Sequence, residues 1–132
     1  MFIHWGHVSR QGIELSWPLV GGVGSLPGAK GVAVADYHAS ADAFNPRPGA
    51  ARQWAALAKD AGMHYAVLTT KHHDGFALWP TAKCDWSIAR TPYGSDLVRE
   101  YVDAFRDAGL RVGFYFSLVD WHHPDYPAFA ES

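Results

Sequence analysis

Residues 60–76 read Asp60-Ala61-Gly62-Met63-His64-Tyr65-Ala66-Val67-Leu68-Thr69-Thr70-Lys71-His72-His73-Asp74-Gly75-Phe76. Three signals follow one another within them. Gly62 stands where a helix C-cap belongs. Residues 63–70 form a compact apolar and β-branched run, which suits a parallel strand buried on both faces. Lys71-His72-His73-Asp74 then turns the chain polar at the strand's end. Helix stop, buried strand and polar strand end, in that order, make one step of a βα repeat.

The step occurs twice. Asp107-Ala108-Gly109 repeats Asp60-Ala61-Gly62 at a distance of 47 residues, and each copy leads into an apolar run and then a His-rich loop. The second run, 111–118, predicts another strand. Upstream of the first copy, Trp54, Leu57, Ala58 and Ala61 recur at i, i+3, i+4 and i+7, which predicts a helix over 49–61 behind Pro46 and Pro48. Between the copies, residues 71–94 read as a long loop. Ser95 is the expected N-cap of a helix striped by Leu97, Val98, Tyr101, Val102 and Phe105. Residues 2–5 predict a short strand ending at Gly6. Residues 20–31, with Gly21, Gly22, Gly24, Gly28 and Gly31, read as a loop.

Strand, loop, helix, turn and strand in series describe a parallel α/β sheet. A (β/α) barrel and a doubly wound open sheet share this pattern. No glycine fingerprint for phosphate follows a strand, which speaks against a nucleotide-binding reading. The chain has 132 residues. That suits one domain but falls short of a closed eight-stranded barrel, which takes about 250. Met1 runs straight into Phe2-Ile3, which reads as the inside of a strand, so the expectation is a piece cut from a longer chain at both ends.

Composition narrows the function. Eleven basic and 13 acidic residues give a formal charge of −2 with no run of one sign, unlike the basic footprint of a nucleic-acid binder. The apolar stretches are strand-sized and too short to span a membrane. No charged segment precedes an apolar one as in a secretory signal, and the sequence assigns no compartment and no oligomeric state. Cys84 is the single cysteine, so there is neither a disulfide framework nor a cysteine-based metal site. Six Trp, six Tyr, seven Phe and eight His remain as the conspicuous feature. Aromatic faces pack on the C–H face of a pyranose, and imidazoles hydrogen-bond its hydroxyls.

In βα folds the chemistry collects at the C-terminal ends of strands. The first end offers His4, Trp5 and His7. The second offers Lys71, His72, His73, Asp74 and Phe76. The third offers Ser117, Asp120, Trp121, His122 and His123. Gly75 permits a tight turn that brings Asp74 back toward the two histidines. The functional reading is that His4, His72 and His73 grip hydroxyls. Trp5 walls the site, while Lys71 and Asp74 set the tautomers and orientation of the imidazoles. Glu14 and Trp17 lie in the loop after the first strand, a carboxylate close to an indole. A rival reading makes His4, His72, His73 and Asp74 zinc ligands, but no His-x-His or His-Glu-x-x-His pattern supports it.

Taken in order, these residues resemble the glycoside hydrolase family 29 α-L-fucosidases. The matching stretches are Phe2-Ile3-His4-Trp5-Gly6, Glu14-Leu15-Ser16-Trp17, residues 37–44, 54–62 and 65–79, and residues 109–121 with Phe114-Tyr115-Phe116-Ser117 and Asp120-Trp121. The run Thr70-Lys71-His72-His73-Asp74-Gly75-Phe76 is the most specific. The resemblance implies an α/β fold, here the first three βα units of a (β/α)8 TIM barrel. It implies the N-terminal portion (1–132) of a catalytic barrel that hydrolyses terminal α-L-fucose with retention, with no cofactor and no metal. The implied partner is a fucosylated glycan, with no nucleic acid and no membrane. It assigns substrate contact to His4, Glu14, Trp17, His72, His73 and Tyr115. In many members the Glu and Trp are adjacent, whereas Leu15 and Ser16 separate them here, and Phe116 stands where many members have Tyr. The family's nucleophile and acid/base are expected beyond Ser132, so no catalytic residue is assigned within the chain. The alternatives are a non-catalytic fucose-binding module and a His/Asp metal-dependent hydrolase.

Overall fold

The computed structural model describes residues 1–20 and 31–126. The loop read at 20–31 therefore lies, but for its two ends, outside the described residues. Three parallel strands form one sheet in chain order: β1 (Phe2–Ile3), β2 (Tyr65–Lys71) and β3 (Arg111–Phe116). The helices are α1 (Val34–Ala39), α2 (Ala50–Asp60) and α3 (Leu97–Asp107). The architecture is α/β with two complete helical crossovers between parallel strands. No helix among the described residues is long and apolar enough to cross a membrane.

The repeated Asp-Ala-Gly segments end α2 and α3 in the same way. Gly62 takes φ 70° and Gly109 φ 80°. After α2, the Met63 amide donates to the Ala58 carbonyl (2.9 Å) and the Gly62 amide to Lys59 (2.9 Å). After α3, the Leu110 amide donates to Phe105 (2.9 Å) and the Gly109 amide to Arg106 (2.9 Å). Both are Schellman closures, in which a left-handed glycine lets the next two amides satisfy carbonyls the helix leaves open. Each closure delivers the chain directly into a strand.

The register Phe2↔Val67↔Gly113 and Ile3↔Leu68↔Phe114 sorts side chains onto two faces. Ile3, Ala66, Leu68 and Val112 face the helices and pack with Ala51, Ala55 and Ala58 of α2 and Tyr101, Ala104 and Phe105 of α3. The buried Tyr101 hydroxyl donates to the Ala66 carbonyl at 2.7 Å, so its burial leaves no polar group unpaired. The opposite face carries Phe2 and Tyr65, 58% and 60% exposed.

Several expectations shift. β1 stops at Ile3, which leaves His4 and Trp5 beyond the ladder rather than within it. The buried stripe of α2 is Ala51, Ala55 and Ala58 with Trp54 alongside, while Leu57 is 63% exposed and Ala61 lies outside the helix. The i, i+3, i+4, i+7 template fitted two rows of this alanine-rich segment, and the row of small residues is the one that lets α2 approach the sheet. The N-cap of α3 is Asp96, not Ser95. Asp96 has extended backbone and its carboxylate accepts the Arg99 amide at 2.8 Å, an arrangement that also places negative charge at the positive end of the helix. The long loop after β2 is partly ordered by a 3-10 turn at Ile88–Arg90 and by bridges from Ala77 to Lys71 and Ser87.

Candidate functional site

The ends of β1 and β2 bring three imidazoles together. The rings of His4 and His72 stand 5.1 Å apart edge to face, and those of His72 and His73 stand 4.2 Å apart. Tyr115, on β3, stacks on His72 at 5.6 Å. Trp17 meets His73 edge-on at 5.8 Å. Glu14 joins the group through its Oε1, which accepts from His4 Nε2 at 2.8 Å. All six residues assigned to substrate contact thus form one contiguous group. His4 is exposed and Glu14 and Trp17 are half-buried, so the group opens to solvent on that side.

Three residues expected in supporting places sit differently. Trp5 turns its ring between Phe44 (5.1 Å) and Trp54 (5.3 Å), into the packing behind α2 rather than along the imidazoles. The Lys71 ammonium reaches Asp120 Oδ2 at 3.2 Å and the Val119 carbonyl at 3.4 Å, and does not touch the histidines it was expected to orient. Gly75, with φ 77°, makes room for this: a Cβ there would collide with the Asp120 carboxylate. Asp74 is 1% exposed, and its carboxylate turns inward. Its Oδ2 accepts from Tyr37 at 2.6 Å and lies 3.3 Å from His7 Nε2, while Oδ1 accepts the Phe76 amide at 3.1 Å. A carboxylate so buried needs these partners.

Two serines hold the histidines, of which only Ser117 was singled out in the sequence, as a polar residue at the third strand end. His72 Nδ1 meets Ser16 Oγ at 2.6 Å, and His73 Nδ1 meets Ser117 Oγ at 2.6 Å. Ser16 is fully buried and has φ 65°, a left-handed conformation rare for a residue with a Cβ. The Tyr37 hydroxyl accepts the Ser16 amide at 2.7 Å, and Ser16 Oγ accepts the Asp74 amide at 2.8 Å. The loop after β1, helix α1 and the turn after β2 are thereby locked together. Ser117 and His7 were visible as polar residues at strand ends. Nothing in the pattern marked Ser16 or Tyr37, because their partners are distant in sequence. Trp121 also joins the group, 5.0 Å from His73 and 5.5 Å from Trp17.

Burial, and then the neighbouring His73, pushes the His72 pKa down to about 4. His73 is lowered too, chiefly by burial. Both rings are therefore neutral at physiological pH. Burial works against ionisation of Asp74, yet the His7 and Tyr37 contacts and the Phe76 amide outweigh it and hold the carboxyl below its ordinary range. Burial and the adjacent Asp74 charge raise Tyr37, which stays a phenol. Among the described residues, no three His, Cys, Asp or Glu side chains are grouped to hold a metal ion.

Parallel βα units that gather polar and aromatic side chains at the ends of their strands are the arrangement in which α/β domains build their functional sites. The particular family follows from comparison. The family model described as Alpha-L-fucosidase matches residues 1–132. Human tissue alpha-L-fucosidase is 36% identical over 139 aligned positions, covering 96% of this chain and 29% of that protein. Alpha-L-fucosidase isoenzyme 1 from Paenibacillus thiaminolyticus superposes with a TM-score of 0.81 at 46% identity, over 99% of this chain and 29% of that one. An alpha-L-fucosidase of family 29 from Bacteroides thetaiotaomicron, trapped as a covalent intermediate with 2-fluoro-fucosyl fluoride, superposes with a TM-score of 0.77 at 38% identity, over 95% and 29%. The chain belongs to the α-L-fucosidase family of glycoside hydrolases. It spans less than a third of the length of these relatives.

Proposed function

We propose that the chain forms the first three βα units of the catalytic (β/α)8 barrel of a retaining α-L-fucosidase, and that it carries one side of the fucose site. The observation that carries this reading is the convergence of His4, His72 and His73, with Glu14, Trp17, Tyr115 and Trp121 around them. Such a group offers several hydrogen-bonding nitrogens beside flat faces, which is what a deoxyhexose with adjacent hydroxyls and an apolar ring face requires.

Retention requires two carboxyl groups about 5–5.5 Å apart, one attacking and one transferring protons. The carboxylates beside the group are already engaged: Glu14 with His4, Asp74 with Tyr37 and Asp120 with Lys71. We therefore assign the nucleophile and acid/base to the part of the relatives' length that these residues do not span. The trapped covalent intermediate of the Bacteroides relative supports the retaining course. The full-length protein is expected to hydrolyse an aryl α-L-fucoside and to release α-L-fucose first, as read by proton NMR of the anomeric signal. Release of the β-anomer first would refute retention, and absence of turnover with intact fucose binding would favour a non-catalytic fucose-binding module.

A further inference from the structure

Two serines meet the Nδ1 atoms of the paired histidines, Ser16 at His72 and Ser117 at His73. Ser117 Oγ donates its one proton to the Val119 carbonyl at 2.9 Å. It can meet His73 Nδ1 only as an acceptor, so the proton of neutral His73 sits on Nδ1 and its Nε2 is left as a lone pair. Ser16 is the reverse case. Its oxygen already accepts the Asp74 amide, and the hydroxyl lies fully buried. Its proton goes to His72 Nδ1 at 2.6 Å, because the Tyr37 hydroxyl, the other oxygen beside it, already accepts the Ser16 amide and donates to Asp74. Neutral His72 therefore carries its proton on Nε2.

We propose that Ser16 and Ser117 are positioning residues that fix opposite tautomers in His72 and His73, so that the pair presents one donor and one acceptor to two neighbouring sugar hydroxyls. This rests on the fucose-site reading and adds its polarity. One hydroxyl accepts from His72 Nε2–H, and the other donates to His73 Nε2. A vicinal diol satisfies both with a single geometry, while a deoxy position at either place leaves one imidazole nitrogen unpaired. The left-handed backbone of Ser16 serves this arrangement. It aims the hydroxyl at His72 while Tyr37 OH accepts the Ser16 amide and donates a hydrogen bond to Asp74.

The test is nitrogen-15 NMR of the full-length protein labelled at histidine, with ring signals assigned through His72→Asn and His73→Asn. Without sugar at neutral pH, His72 is expected as the Nε2–H tautomer and His73 as Nδ1–H. The same tautomer in both rings overturns the proposal before any serine is altered. Ser16→Gly keeps the left-handed backbone accessible but removes the hydroxyl. It should release the His72 tautomer and weaken fucose binding about tenfold, equivalent to about 1.4 kcal/mol. Ser117→Ala should do the same at His73 alone, and Ser117→Thr should restore the parent spectrum. Unchanged tautomers in Ser16→Gly and Ser117→Ala also overturn it. Fucose titration is read separately. Opposite tautomers whose signals ignore saturating fucose would support the serine assignment and refute the sugar site.

Discussion

An imidazole offers a sugar one donor and one acceptor only while it is neutral, because only then do its two nitrogens play different parts. His72 meets that condition through burial, with a pKa near 4. The sign of the consequence is fixed. The folded value lies below the ordinary value of 6.5, so acid favours the unfolded chain between them. The stability that depends on neutral His72 is complete above about pH 6.5 and is lost as the pH falls toward about 4. Urea midpoints of the full-length protein should fall over this interval and fall less in His72→Gln, and equal slopes would contradict the assignment. His72→Ala and His73→Ala should each lower kcat/KM for an aryl α-L-fucoside by about tenfold or more, on the order of one hydrogen bond at 1–1.5 kcal/mol. Near-parental kinetics in both would count against the site. At this scale the sequence was legible where residues were adjacent or sat at strand ends, as in His72-His73 and His4. It was silent on Ser16 and Tyr37, whose contacts join residues 56, 21 and 37 positions apart. It also expected the Lys71 and Asp74 side chains to turn toward the imidazoles, whereas they meet Asp120 and Tyr37, since proximity in sequence does not reveal which way a side chain turns.

The elements were legible to the extent that their stop signals are chemical. The Asp-Ala-Gly repeat announces two helix ends, and both close with a left-handed glycine. No atom lies within 4 Å of a Cβ built at Gly62 or Gly109. The cost of Gly62→Ala or Gly109→Ala is therefore conformational, about 1–2 kcal/mol each, with no contribution from crowding. Denaturant titration should show it, and a neutral effect would mean the closures are not needed. Asp96→Ala should cost about 1 kcal/mol through loss of the cap on α3, while Ser95→Ala should be near neutral. The short helix α1 escaped the sequence reading because six residues give too little periodicity to detect, although it places Tyr37 in the core. The stripe on α2 was misplaced for a related reason. Alanine fills both candidate rows, and only the sheet decides which one is covered.

For the whole molecule, the parallel order of the sheet followed from the repeat, but barrel and open sheet share that pattern. The sheet leaves apolar groups uncovered, with Phe2 and Tyr65 on one face and Leu118, 92% exposed, past the end of β3. Unpaired edges and bare apolar surface promote association. The 132-residue chain on its own should sediment as oligomers and show negligible hydrolysis of an aryl α-L-fucoside. A monodisperse monomer with robust turnover would overturn both expectations. The most direct test of the account is a crystal structure of the full-length protein with bound fucose. Adjacent hydroxyls should lie within hydrogen-bond distance of His72 Nε2 and His73 Nε2, with His4 and Glu14 beside them. Fucose seated elsewhere, with those nitrogens untouched, would contradict it.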